Sequence, residues 1–342
     1  MAIPNFKIKL NRQIIEDAVR KSILQAACDL QVSMASEISL LIHDPGYKIV
    51  DSNVFKLGAE LDLEIGFQSQ FQRLMLGEIV SLEPGFSDTL GTVFIVRAYD
   101  KSYRLRRNKP VRPAFLNMRD SDIARQLARE AGLQANVDRT PIIHEYLQQT
   151  GSDWRFLKSR ADANGYKLFV QFNTLFFQRP DQAKTNPILL KRGQDLIQLN
   201  LRLSAVDQPN LHIVRGWDAR QKKPLVAKAT PGTSAVVAVG TTLGAQITAK
   251  AFGEGRSITF DTPVFSQAEA EQLAKAQFSD RAQHFIQGEG VCLGIPAMKA
   301  GDKIDLLNMG KRFSGLYNLT RVTHIINKNG YRTKFSIERN AE

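Results

Sequence analysis

The sequence has few of the features that place a protein in a membrane, in a secretory pathway or around a metal ion. Only two cysteines, Cys28 and Cys292, occur in 342 residues, and their spacing fits neither a disulfide framework nor a metal site. No apolar run reaches the roughly 18 residues that a membrane-spanning helix needs. The first residues contain no apolar segment of the kind found in signal peptides. These absences predict a protein made in the cytoplasm, without a membrane anchor.

Recognisable catalytic motifs are missing as well. The sequence contains no Walker A motif, no G-x-G-x-x-G before a helix and no G-x-S-x-G elbow. Its histidines form no H-E-x-x-H pattern and have no nearby cysteine partners; they are His43, His144, His212, His284 and His324. No pair of carboxylates is singled out for glycoside chemistry. We therefore expect a protein that is not an enzyme and that uses no cofactor and no metal.

Positive charge is the one unusual bulk property. The net charge is +12, and the densest run of cations is KSYRLRRNKPVR at residues 101–112. Arg104, Arg106 and Arg107 could contact phosphate groups, as in a nucleic-acid-binding protein. Tyr103 is the only aromatic residue of the run, which therefore offers no platform for stacked bases. We favour the simpler interpretation, a solvated connector between two domains.

The residues before this connector are predicted to form strands. In AELDLEIG, residues 59–66, apolar and acidic side chains alternate, which indicates a strand with one buried face. In GTVFIVRAYD, residues 91–100, both faces carry apolar side chains, as in a strand covered on both sides. The sequence therefore predicts a first β-barrel domain over residues 1–112, including the connector.

The next segment has the period of helices. RDSDIARQLAREAGL offers Asp120 or Ser121 as an N-cap and Gly132 as a stop. A second helix is predicted to begin at Ser152 or Asp153 and to end at Gly165.

The second helix has one apolar face. Trp154, Leu157 and Ala161 share it, so Trp154 is expected to anchor the core beside the helix cap. Arg155, Lys158 and Arg160 lie off this face and are expected to point to solvent. With the strands that follow each helix, this predicts an α+β insert domain over residues 113–194.

The last part of the chain returns to strands around one long helix. Ser266 and Glu269 match a capping box, which predicts a helix within residues 263–286. Asn329 and Gly330 predict a hairpin between the last two strands. The predicted second β-barrel domain comprises residues 195–262 and 287–342, and the overall class is α+β and β-rich.

A short repeat suggests that the two barrels are related. IVRAYD at residues 95–100 recurs as IVRGWD at residues 213–218. In each copy an arginine lies two residues before an aromatic residue, where the two side chains could stack; the pairs are Arg97 with Tyr99 and Arg215 with Trp217. The placement late in each β region favours duplication of one unit. These residues, together with Trp154 and the connector arginines, are the interface candidates.

Five phrases of the sequence resemble the phage late control gene D protein family, which includes contractile-tail baseplate hubs and the hub portion of the valine-glycine-repeat spike protein of type VI secretion. The phrases are VRAYDKSYRLRR, NMRDSDIARQLAREAGL, HEYLQQTGSDWRFLKSRADANGYKLFV, IVRGWDARQKKPLV and GEGVCLGIPAMKAGDKIDLLNMGKRFSGLYNLTRVTHIINKNGYRTKFSIERN, and they occur in the family's order.

The resemblance implies two tube-like barrels per chain and a homotrimer with pseudo-six-fold symmetry. Such a hub would join a hexameric inner tube to a trimeric spike in a phage tail or injection particle, with other baseplate proteins as partners. Because only Ala341 and Glu342 follow the last matched phrase, the spike is expected to be a separate chain. Two other functions stay open, nucleic-acid binding and, with less support, hydrolysis of cell-wall glycans.

Overall fold

The structure, a computed structural model, describes residues 3–32, 34–87, 91–107, 112–180, 186–232, 240 and 242–342. The first part contains β1 (Pro4–Leu10), β2 (Gln13–Ile14), α1 (Asp17–Ser22), β3 (Ile23–Gln31), β4 (Glu37–His43), β5 (Glu60–Phe67), β6 (Gln70–Ser87) and β7 (Gly91–Asp100). There follow α2 (Tyr103–Arg106), β8 (Phe115–Arg119), α3 (Asp120–Glu130), β9 (Gln134–Val137), β10 (Ile143–Leu147), α4 (Asp153–Asn164), β11 (Lys167–Gln171) and β12 (Thr174–Gln178).

The second half continues with the same two kinds of region. It contains β13 (Ile188–Lys191), β14 (Leu196–Leu203), β15 (Leu211–Asp218), β16 (Lys223–Ala229), α5 (Gly244–Phe252), β17 (Arg256–Thr259) and α6 (Gln267–Gln283). It ends with β18 (Ile286–Leu293), β19 (Lys303–Leu307), α7 (Gly310–Phe313), β20 (Gly315–Asn327) and β21 (Gly330–Arg339). The protein is thus β-rich and of the α+β class, as predicted.

One large sheet of thirteen strands runs through both halves of the chain. Its order is β14-β18-β21-β20-β3-β4-β7-β6-β5-β1-β2, and β19 pairs with both β20 and β13. β5 belongs to this sheet, and Leu61, Leu63 and Ile65 are buried, as its alternation predicted. The long strand β20 joins the halves, because its first residues pair with β19 and its later residues pair with β3.

The large sheet is built from two units with the same strand order. Neighbouring strands in the first unit are β3-β4-β7-β6-β5-β1, and those in the second are β14-β18-β21-β20-β19-β13. When the short β2 is left out and the strands of each unit are numbered along the chain, both units have the order second, third, sixth, fifth, fourth, first. The units differ in one pairing, since β1 is antiparallel to β5 whereas β13 is parallel to β19.

Irregular details recur at equivalent places in the two units. The register of β6 against β7 shifts just after Ile79, and that of β20 against β21 shifts just after Leu319. The amide of Gly58 donates to the carbonyl of Ile79, and the amide of Gly301 donates to that of Leu319, both at 2.8 Å. Both glycines have left-handed φ angles, +81° and +93°. The prediction of two related β domains with inserts is therefore confirmed.

Each β unit carries an insert with a core of its own. The first insert follows β7 and packs α2, α3 and α4 against two small sheets, β10-β8 and β11-β12-β9. The second insert lies between β14 and β18 and packs α6 against the sheet β16-β15-β17. The β units have separate cores, around Leu40 and Leu63 in the first and around Tyr317 and Phe335 in the second.

The strand pairing moves several predicted boundaries. The sequence predicts residues 195–262 in the second barrel, but β15 pairs with β16 and β17 in a separate sheet, and β15 and β16 pack on α6. β13, predicted to lie in the first insert, pairs with β19 of the second β unit. We propose to divide the chain into residues 3–100, 101–180, 186–203 with 285–342, and 204–284.

The predicted caps fix two of the three long helices. Ser152 caps α4 by accepting the amide of Arg155 at 3.3 Å, and α4 ends at Gly165 with φ +66°. Ser266 caps α6 by accepting the amide of Glu269 at 3.2 Å. α3 instead begins at Asp120, whose carboxylate binds other side chains, so the cap predicted there is wrong.

Candidate interaction surfaces

Among the described residues, the unpaired strand edges of the large sheet include two long ones, along β14 and along the later part of β6. Apart from one bridge between Leu196 and Arg192, β14 pairs only with β18 in the described part of the chain, and Asn200 and Arg202 along it are exposed. β6 pairs with β5 as far as Glu78, and after Ile79 its only partner within the described ranges is β7. Phe86, near the end of this open part of β6, is 68% exposed. Each edge presents backbone groups that another strand could pair with.

The basic run binds acidic residues of the first β unit. Lys101 is buried, and its Nζ donates to Glu60 Oε1 at 2.6 Å. This hydrogen bond lowers the pKa of the Glu60 carboxyl. Arg104 binds Glu78, with Nε 3.1 Å from each carboxylate oxygen, and its Nη1 donates to the carbonyl of Ala131 at 3.1 Å. Arg104 therefore links β6 to the end of α3.

The rest of the run contacts the first insert. The Arg106 guanidinium lies 4.4 Å from the ring centroid of Trp154, which is buried in α4 as predicted, and burial lowers the pKa of Arg106. Arg112 donates to Asp153 at 3.2 Å. Arg107 is exposed, and residues 108–111 lie outside the described residues. The run is a connector, as favoured, but most of its described cations are paired or stacked rather than solvated.

A buried ionic cluster joins the two inserts. His144 of β10 contacts Glu269 of α6 through Nδ1 at 2.6 Å and Asp120 of α3 through Nε2 at 3.2 Å. Arg160 of α4 donates from Nε to Asp120 at 2.6 Å, so the prediction that Arg160 points to solvent is wrong. His144 is only 5% exposed, and both of its ring nitrogens are engaged. This arrangement suits a structural joint rather than a catalytic base.

The pKa values in the cluster favour its charged form. Burial lowers the pKa of His144, but hydrogen bonds to Asp120 and Glu269 outweigh this effect and raise it. Burial raises the pKa of Asp120, but hydrogen bonds from His144 and Arg160 outweigh it and leave that pKa at about 2. A positive His144 thus lies between two carboxylates, and the ion pairs tie α3, α4 and α6 together.

Two other histidines are buried and fully hydrogen-bonded. His212 contacts Ser257 through Nδ1 at 2.6 Å and Gln277 through Nε2 at 2.7 Å. His324 contacts the Tyr331 hydroxyl at 2.7 Å and the Met298 carbonyl at 3.0 Å. No group of three or more potential metal-ligating side chains occurs in the described part of the chain. These contacts give the histidines structural roles.

Arg97 and Tyr99, predicted to stack on each other, each contact other residues instead. Arg97 binds Glu37 at 2.5 Å and Glu83 at 2.9 Å, which are on the two strands that flank β7. These contacts raise the pKa of Arg97. The ring of Tyr99 packs instead against Tyr103, with 6.0 Å between centroids. Arg97 therefore fastens three strands of the first β unit.

The predicted Arg215–Trp217 pair lies in a different setting. Both residues are on β15 in the second insert, on the face of the small sheet that α6 does not cover. Trp217 is 57% exposed. Because β7 is in the large sheet and β15 is not, the predicted equivalence of the IVRAYD and IVRGWD segments is wrong. This uncovered face, hereafter the open face, is the third candidate surface.

Sequence reasoning missed two of these features. It did not identify the open edges of β6 and β14, and it did not place His144, Asp120, Arg160 and Glu269 together. One weak sequence signal relates β14 to its equivalent β3, because the two strands begin with the similar triplets LIQ and ILQ. No sequence pattern marks the ionic cluster, since its members come from four separate elements.

Comparison with known proteins relates the chain to one family and to one fold. A family model described as the Alg8 N-terminal domain matches residues 3–328. No curated protein matches the chain in sequence. In the described part of the chain, no helix is both long and apolar enough to cross a membrane.

Solved structures of tail proteins have the same fold. The 43 kDa tail protein of prophage MuSo2 from Shewanella oneidensis superposes with a TM-score of 0.73 at 14% identity, covering 98% of each chain. A tail protein from Neisseria meningitidis gives 0.70 at 12% identity, covering 98% of this chain and 96% of that one. An Escherichia coli component of the type VI secretion system gives 0.63 at 12% identity, covering 98% of this chain and 77% of that one. At these identities the likeness establishes the fold.

Proposed function

The chain belongs to the Alg8 N-terminal domain family, and we propose that it is a structural component of a phage tail or a related injection particle. The shared fold with two tail proteins and a type VI secretion component, over nearly the whole chain, supports this role. More specifically, we propose a homotrimeric baseplate hub with pseudo-six-fold symmetry. It would join a hexameric inner tube to a trimeric spike.

The observation that carries this proposal concerns the pairing that joins the two β units. One unit pairs with the other through an edge strand inside the chain, and the equivalent edge strands on the two outer sides have no partner among the described residues. β3 of the first unit pairs with the later part of β20 of the second unit. β14 and β6 occupy the equivalent positions in the opposite units, and these two strands have no such partner in the described residues. Pairing of β14 with β6 of a neighbouring copy would therefore repeat the internal join between copies.

This repeated join explains the proposed symmetry. It is head-to-tail, so it generates either a closed ring or an open helix. If the internal and external joins turn the chain by the same angle of about 60°, three chains close a ring of six units. Such a ring presents six similar β units to an inner tube and three identical chains to a spike.

The residues that would face one another follow from the internal register. On the first side, the register shifts after Ile23 in β3 and after Leu196 in β14, so these two residues are equivalent. Asp29 and Arg202 lie the same distance further along their strands and therefore correspond to each other. On the second side, the equivalent shifts in β20 and β6 make Thr323 correspond to Glu83.

Opposite charges would meet across the proposed interface. Asp29 lies opposite Thr323 in the β3–β20 pair, so Arg202 would lie opposite Glu83 of the next copy. Opposite charges on facing strands stabilise a pair, by about 0.2–1 kcal/mol. Pro84 has no amide hydrogen, so this edge of β6 offers one donor fewer than β20 does.

A disulfide cross-link tests the interface. In the variant Glu83→Cys/Arg202→Cys, facing Cα atoms would lie about 4.5–5.5 Å apart, which a disulfide spans. We expect mild oxidation to give covalent species of two and three chains on a denaturing gel. The native cysteines Cys28 and Cys292 are buried and do not compete.

The matched control displaces one cysteine by two residues. In Glu83→Cys/Asn200→Cys the diagonal separation is about 7–8 Å, so cross-linking should be much slower. Equal cross-linking of both variants, or only monomers from the first at a native mass of one 38.3 kDa chain, would contradict the proposed interface.

The nucleic-acid alternative loses one of the two observations that motivated it, the basic run, and keeps the other, the net charge of +12. Lys101, Arg104 and Arg112 hold carboxylates of the same chain, and Arg106 lies on a buried tryptophan ring. A cation in an internal ion pair must break that pair before it can bind phosphate. The basic run therefore supports a structural function better than nucleic-acid binding.

A further inference from the structure

The sheet of the second insert is covered on one face only. His212, Val214, Leu225 and Ala227 face α6 and are buried, with Phe278 of that helix in the same core. Gly216 also faces that side, where a Cβ atom would come within 2.4 Å of Val264. The alternate residues of β15, β16 and β17 point the other way, because side chains alternate along a strand.

The open face is largely apolar. Val226 is 40% exposed, Ile258 51% and Trp217 57%, and the register places each beside another residue of this face. Phe260 follows β17 in the same alternation and is 79% exposed. Contiguous exposed apolar side chains of this kind mark a surface that binds a partner.

The charges on the open face are of one sign. Arg215, Lys228 and Arg256 lie among the apolar residues, and the register places no Asp or Glu on this face of the strands. Arg256 has Glu254 at 3.5 Å in the adjoining loop. Arg215 and Lys228 take part in no ion pair among the residues that the structure describes. The face is therefore complementary to a surface that is both acidic and apolar.

We propose that the open face is a docking surface for an acidic, apolar segment of another protein in the particle, an inference that rests on the proposed function. A second copy of this chain is disfavoured, because the chain carries a net charge of +12 and its complementary edges are on β6 and β14. Nucleic acid fits less well, since Ile213, Val226 and Ile258 occupy the centre and aliphatic side chains do not stack on bases.

A photo-cross-linker at position 217 tests the proposal. Trp217→p-benzoyl-phenylalanine replaces one aromatic side chain by another at an exposed position, and the particle is produced from its complete gene set. We expect a cross-link to a different protein, at a segment with net negative charge. Arg215→Glu/Lys228→Glu in the same background should reduce its yield at least tenfold.

The control reverses two exposed cations elsewhere. Arg129→Glu on α3 together with Arg155→Glu on α4 should leave the yield unchanged. A particle that contains the chain but gives no cross-link at 217 would overturn this inference alone. So would a cross-link to a second copy or to nucleic acid, or one that is insensitive to Arg215→Glu/Lys228→Glu. Absence of the chain from purified particles would overturn the proposed function as well.

Discussion

Two buried histidines are held in opposite protonation states by their neighbours. His324 lies inside the second β unit and contacts only uncharged groups, the Tyr331 hydroxyl and the Met298 carbonyl. Burial lowers its pKa from 6.5 to about 4, so it is neutral near pH 7. His144 lies between Asp120 and Glu269, and its raised pKa favours the charged form.

The stability of the protein should depend on His324 in acid. Since its folded pKa is below the unfolded value, its contribution is complete above pH 6.5 and is lost as the pH falls towards 4. A shift of this size corresponds to about 3 kcal/mol. We expect the free energy of unfolding of the wild type, relative to His324→Gln, to fall by about this amount over that range in urea titrations.

His144→Gln provides a control of opposite sign. The pKa of His144 is raised in the folded protein, so its contribution is complete below pH 6.5 and is lost as the pH rises through the folded value. The wild-type advantage over His144→Gln should therefore shrink at alkaline pH. Parallel pH profiles for the two variants would contradict both assignments.

At the level of elements, the duplication is visible in strand order and hardly visible in sequence. The strand of the second unit that is equivalent to β7 is β21. This equivalence puts Arg97 at the position of Ser336 and Tyr99 at that of Glu338. The similar segments IVRAYD and IVRGWD are both strands, but they pair in different sheets. Edge pairing and bulges are backbone features, so very different side chains can follow the same plan.

Reversal of one charge at the proposed interface should weaken the proposed trimer. Arg202→Glu would place two carboxylates opposite each other at each of three joins, and like charges on facing strands destabilise by amounts similar to those of favourable pairs. About 1 kcal/mol at each join predicts a loss of roughly a hundredfold in the trimer association constant. Sedimentation over a range of concentrations measures this loss.

The exchanged pair distinguishes the interface from damage to the fold. Glu83→Arg/Arg202→Glu restores opposite charges and should recover most of the trimer. In the double variant Arg97 keeps its contact with Glu37. Failure of the double variant to recover, with a melting temperature like that of the wild type, would argue against the register.

At the level of the whole molecule, we expect the basic run to contribute stability rather than affinity for nucleic acid. Lys101→Met/Arg104→Met would leave Glu60 and Glu78 without their partners, and the Glu78 side chain is only 15% exposed. An unpaired, partly buried carboxylate costs about 1–3 kcal/mol. We therefore expect a lower melting temperature and little change in the affinity for a DNA duplex, measured by fluorescence anisotropy at several salt concentrations.

The control removes two cations that are exposed. Lys222→Met/Lys223→Met changes the net charge by the same amount and should leave the melting temperature unchanged. A nucleic-acid site at the run would give the opposite pattern. The loss of two phosphate contacts there would lower the dependence of log affinity on log salt by roughly 0.9 for each contact.

The sequence by itself determined the features that depend on near neighbours along the chain. Period-two alternation identified β5. The caps at Ser152 and Ser266 located the starts of α4 and α6, because a capping side chain binds a backbone amide only three residues further along the chain. The β-rich class with helical inserts followed from these elements. The hairpin near Asn329 was found as well, with Gly330 opening β21 at φ +106°.

Only the tertiary structure decided which distant segments of the chain pair or form contacts. It placed β15 in the second insert, brought His144 to Glu269 across 125 residues, and matched the run of cations to Glu60 and Glu78. Strand pairing and buried ion pairs depend on which distant segments meet, and nothing in local period or propensity encodes that choice. For the same reason, the open edges of β6 and β14 could be recognised only after the strand pairing of both β units was known.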